Sequence, residues 1–85
     1  MTEISMPQYR SHKTVGALKI ERCENTQDDT KVLLTFADDK YPTQLVDVDV
    51  VSRHWPVSGD YLVRYADGYL SISPAAPFEE GYTLL

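Results

Sequence analysis

Hydrophobic and polar positions alternate along most of this chain, and a period of two marks a half-buried strand. Residues 14–23 set Gly16, Leu18 and Ile20 on one side and Val15, Ala17, Lys19 and Glu21 on the other. Residues 31–37 repeat the pattern, with Val32, Leu34 and Phe36 on one face. The polar stretch 24–30 reads as a loop, so these two strands are expected to pair as an antiparallel hairpin with a long connection. Ala37-Asp38-Asp39-Lys40 reads as a turn, and residues 41–46 as a short third strand with Pro42 at its start or on an edge.

The pattern changes over residues 47–54. Asp47 or Asp49 can cap a short helix running to His54, on which Val48, Val51 and Trp55 share a face. Val48, Val50 and Val51 are β-branched, however, and a strand is the competing reading. Pro56 ends whichever forms.

The last third punctuates itself. Residues 61–65 and 69–73 are rich in aromatic and β-branched side chains and flank Asp67-Gly68, a strong hairpin signal. A two-residue type I′ loop there sets Ala66 opposite Tyr69, Tyr65 opposite Leu70, Arg64 opposite Ser71 and Val63 opposite Ile72. Tyr61, Val63, Tyr65, Leu70 and Ile72 then form the core face. Leu62, Arg64, Ala66, Tyr69, Ser71 and Ser73 form the wetter one, and a slip of one residue inverts the assignment. Ser73-Pro74 offers a helix start, residues 74–80 a short helix anchored by Phe78, and Gly81 its stop.

Eighty-five residues make one domain. Residues 1–11 are polar and aperiodic and read as a flexible N-terminal arm, with residues 12–85 as the folded unit. The expected fold is a small α+β domain, in which a twisted antiparallel sheet of four or five strands packs one or two short helices. A small SH3-like β-barrel is the alternative, because strands dominate and connections are short.

A net charge of −5 argues against direct nucleic-acid binding, since phosphate-binding domains usually carry a basic patch. The single cysteine, Cys23, excludes an internal disulfide framework and reads as a small strand residue. There is no apolar run long enough for a membrane span, and residues 1–9 lack the pattern of a signal peptide. His12, His54 and Cys23 show no metal-ligand spacing. No nucleophile elbow or zinc-protease motif occurs. No metal, no cofactor and no catalytic residue is expected, and the chain is read as a non-enzyme.

What remains is a surface. Arg64, Tyr69 and Ser71, placed together by the expected register, can hold a small anion or a partner carboxylate. They can equally form a solvated face whose Arg64 pairs locally with an Asp. Trp55 is either a lid on the core or an interface anchor. A compact acidic domain can also occupy a basic groove on another protein, and the open edges of a short sheet allow a homodimer.

Two segments carry a resemblance. The first is Tyr9-Arg10-Ser11-His12-Lys13 with Ala17-Leu18-Lys19-Ile20. The second runs Gly59-Asp60-Tyr61-Leu62-Val63-Arg64-Tyr65-Ala66-Asp67-Gly68-Tyr69-Leu70-Ser71-Ile72-Ser73-Pro74-Ala75, then Phe78-Glu79-Glu80-Gly81-Tyr82. Over residues 9–25 and 41–82 the chain resembles small proteins encoded by tailed phages and prophages. It departs from their pattern at Asp60, where a second Gly is common, and at Pro77. The group carries no settled activity, so no functional residue is transferred. The resemblance implies a phage product in the host bacterial cytoplasm, or alternatively in the virion. There it is expected to bind a host protein or a small host molecule, such as a nucleotide signal, and to counter host defence. A structural role as a minor virion or assembly protein is the second expectation.

Overall fold

A computed structural model describes residues 6–10 and 14–84. The chain is a small α+β fold built on one open, antiparallel sheet with two short helices. Its principal strands are β2 (Thr14–Asn25), β3 (Lys31–Phe36), β4 (Gln44–Asp47), β5 (Tyr61–Arg64) and β6 (Leu70–Ser73), in the order β4-β3-β2-β5-β6. Two shorter strands, β1 (Gln8–Arg10) and β7 (Thr83–Leu84), extend the sheet from the N-terminal half of β2. Helix α1 (Val48–Val51) follows β4, and helix α2 (Ala75–Gly81) follows β6.

β2 organises the molecule because it serves two sheet regions at once. Its first half pairs with β5, and its second half with β3. The register shifts between Ile20 and Arg22, and such a bulge increases twist and bends the strand. Alternation along β2 then supplies two cores. Leu18 and Ile20 join Val32, Leu34, Phe36, Val46, Val51, Leu62 and Ile72 on one face. Val15 and Ala17 join Tyr61, Val63 and Phe78 on the other, beneath α2. Phe78 is 2% exposed and stacks between Tyr61 and Tyr82, with ring centroids 4.3 and 4.7 Å away. Burial of a side chain this size contributes about 1.5–3 kcal/mol, which holds a helix too short to persist alone.

Among the described residues β4 and β6 do not pair, so the sheet is open and the barrel alternative does not hold. Helix α1 occupies the gap: Val51 packs into the core shared by Val46 of β4 and Ile72 of β6. The helical reading of this stretch is correct but too long, since α1 ends at Val51. Three further expectations are corrected. Met6 is buried in the core and Gln8–Arg10 pair with β2, so this part of the expected arm belongs to the fold; residues 1–5 and 11 lie outside the described residues. The third strand begins at Gln44, later than residue 41. Helix α2 is preceded by Pro74 at the N-cap, with Ser73 still in β6, and Gly81 is its last residue.

The largest correction concerns the β5–β6 hairpin. Arg64 opposes Leu70, Val63 opposes Ser71 and Leu62 opposes Ile72, one residue from the expected register. The cause is a three-residue loop, Ala66-Asp67-Gly68. Tyr65 N–H donates to the Tyr69 carbonyl at 2.9 Å, and Gly68 N–H donates to the Tyr65 carbonyl at 2.8 Å. Only Gly68 takes positive φ, at 88°, while Asp67 Oδ1 accepts from Tyr69 N–H. That is a type I turn closed by a glycine bulge, the next most common hairpin after the two-residue loop. Tyr61 and Val63 therefore face α2, while Leu62 and Ile72 face the opposite core.

Candidate functional site

The corrected register divides the residues that the sequence placed together. Arg64 shares its face with Leu62 and Leu70 and lines a hollow of about 280 Å³ with Gln8, Thr14, Val15, Gly16, Tyr65 and Ala66. Tyr69 and Ser71 line a different recess, of about 320 Å³, between β6 and the segment leaving α1. Its other walls include Asp49, Ser52, Arg53 and His54. Trp55 is 43% exposed and lines neither hollow.

This recess has a built wall. Ser58-Gly59 forms the centre of a tight turn in which Asp60 N–H donates to the Val57 carbonyl, with Gly59 at φ 100°. Gly59 N–H and the Asp60 carbonyl then bond to Ile20, pinning the turn to β2. The Asp60 side chain is thereby buried, 4% exposed. One carboxylate oxygen accepts from Val57 N–H at 3.0 Å and contacts His54 Nε2 at 2.8 Å. The other accepts from Ala75 N–H at 3.1 Å, at the start of α2. Burial works against ionisation, but the hydrogen bonds from Val57, His54 and Ala75 outweigh it and hold the carboxyl below the usual range. An ionised Asp60 so placed orients the His54 ring.

Arg53 is the notable neighbour. Among the described residues it makes no ion pair or side-chain hydrogen bond. The other described pairs lie elsewhere: Lys19 of β2 with Glu79 of α2, Arg22 with Glu24 along β2, and Lys31 of β3 with Asp47 of β4. The residue pattern alone points to Arg64 as the cation beside Tyr69 and Ser71 and makes His54 a helix-end residue. The available signal was the polar triplet Ser52-Arg53-His54 set between Val51 and the Trp55-Pro56 stop.

The arrangement offers a binding surface. His54 has an orienting carboxylate, but among the described residues no hydroxyl or thiol is hydrogen-bonded to its ring, while Ser52 Oγ donates to the Asp49 carbonyl. Burial, with Glu24 adding to it, pushes the Cys23 thiol up, away from the thiolate form. No group of three or more His, Cys, Asp or Glu side chains suited to a metal occurs among the described residues; His12 lies outside them. No helix among them is long and apolar enough to cross a membrane.

No protein-family model, curated protein or solved structure matches this chain.

Proposed function

We propose that this chain is a non-enzymatic binding module encoded by a tailed phage or prophage. It acts in the host bacterial cytoplasm on a host protein or a small host molecule, and through it counters host defence. The phage origin rests on the resemblance of residues 9–25 and 41–82. The observation that carries the binding reading is the recess beside β6, where Arg53 has no acidic partner among the described residues in a chain of net charge −5. A cation with no ion pair among the described residues, in a concave and partly hydroxyl-lined site, is available to a ligand.

The test is native mass spectrometry of tagged protein purified gently from phage-infected cells. A discrete added mass, whether a host protein or a small molecule, supports the module. A bare chain contradicts it.

A minor virion or assembly role is the second reading. It is favoured by Leu45, 57% exposed on β4, whose outer edge carries no further strand among the described residues, since such an edge with an exposed aliphatic side chain suits contact between subunits. The same edge suits a homodimer. Presence of the chain in purified particles supports the assembly role, and absence removes it.

A further inference from the structure

The recess carries more information than its one cation. In an antiparallel ladder, bonded pairs alternate with non-bonded ones. The Tyr65–Tyr69 bond makes Val63–Ser71 and Tyr61–Ser73 the bonded pairs of the β5–β6 ladder. Leu70 and Ile72 fall between them, so their N–H and C=O groups turn away from β5, toward the edge that carries no further strand among the described residues. Both residues line the recess. Donors therefore come from two directions: Arg53 on one wall, and two backbone N–H groups of a strand edge on the other, while the Nε2 of His54 is engaged with Asp60. Asp49 lines the same recess, and an ionised carboxylate offers only acceptors.

We propose that this recess binds a small hydroxylated phosphomonoester of the sugar-phosphate kind. The inference rests on the binding-module reading and names its ligand class. Arg53 and the edge amides engage the phosphate oxygens, which present acceptors in several directions, whereas a carboxylate presents two in a plane. Asp49 accepts from a ligand hydroxyl, so the wall that would repel a bare anion favours one carrying a sugar. The volume lies at the low end of the roughly 300–1,000 Å³ typical of small-molecule sites, which suits one sugar ring with its phosphate and excludes a dinucleotide.

The test uses the full chain and amide NMR titrations with ribose 5-phosphate, inorganic phosphate and ribose at millimolar concentration. Ribose 5-phosphate is expected to shift the amides of Arg53, His54, Leu70 and Ile72 and to bind more tightly than inorganic phosphate, with ribose alone inert. Arg53→Ala should weaken binding at least about tenfold, the loss of one charged hydrogen bond, with the dispersed strand resonances unchanged. Asp49→Asn should narrow the gap between ribose 5-phosphate and inorganic phosphate. Absence of shifts at the recess, or shifts that persist in R53A, overturns the proposal. If ribose 5-phosphate fails while R53A still loses a protein captured in cells, the binding module stands and its ligand class falls.

Discussion

The Asp60 carboxylate sits 2.8 Å from His54 Nε2 and so joins the wall of the recess to the turn that leads into β5. Its other oxygen reaches Ala75 N–H, at the first residue of α2. One side chain thereby fixes the segment after α1, the entrance to β5 and the start of α2. Asp60→Ala leaves the Val57 and Ala75 N–H groups without this acceptor. The expected cost is about 3 kcal/mol, from unsatisfied donors and the lost charged contact. Asp60→Asn, which keeps one acceptor oxygen, should lose less. Urea denaturation of both variants checks the order.

The same group sets a pH dependence. Asp60 titrates lower in the folded chain than in the unfolded one, so its contribution is complete above the unfolded value, near 3.9. It disappears as pH falls through the lower folded value. Glu79, lowered chiefly by the Tyr61 hydroxyl, and Asp28, lowered chiefly by the Thr30 hydroxyl, act in the same direction but are exposed. Stability should decline below about pH 4, and D60N should show a shallower decline. Thermal melts between pH 2 and about 6 test this linkage.

Gly68→Val should cost about 1–3 kcal/mol, because a β-branched residue is strained at positive φ. The site is otherwise open, with no atom within 4 Å of an added Cβ. The cost is therefore conformational, and Gly68→Asn should recover much of it. Equilibrium denaturation of the pair separates strain from packing.

Phe78→Ala should cost about 3–5 kcal/mol. It removes the ring stacked between Tyr61 and Tyr82. With its anchor gone, α2 should open first, read as rapid amide exchange over Ala75–Gly81.

The hairpin shows both the reach and the limit of reading this chain from its residues. Asp67-Gly68 located the turn, and the alternation of β2 and β3 gave their faces directly. Loop length was not local information. Asp-Gly fits a two-residue loop in which Asp takes positive φ and a three-residue loop in which only Gly does. The choice falls to tertiary packing, because only the observed register buries Tyr61 and Val63 under Phe78 while Leu62 meets Ile72. That one-residue difference separated Arg64 from Tyr69 and Ser71. Arg53 and His54 escaped notice for a related reason: their importance comes from Asp60, whose burial is created by the turn at residues 57–60 and its bonds to Ile20. Both sheet faces are covered because α2 returns across β5, which alternation in a single strand does not reveal.

We propose the recess beside β6, with Arg53 as its cation, as the place where this chain binds. The most direct measurement is native mass spectrometry of the wild-type chain, R53A and R64A, each purified from infected cells. A discrete bound mass on the wild type and on R64A, lost from R53A with folding intact, is the predicted result. A bound mass that survives R53A, or a bare chain in all three preparations, rules out Arg53 as the binding cation.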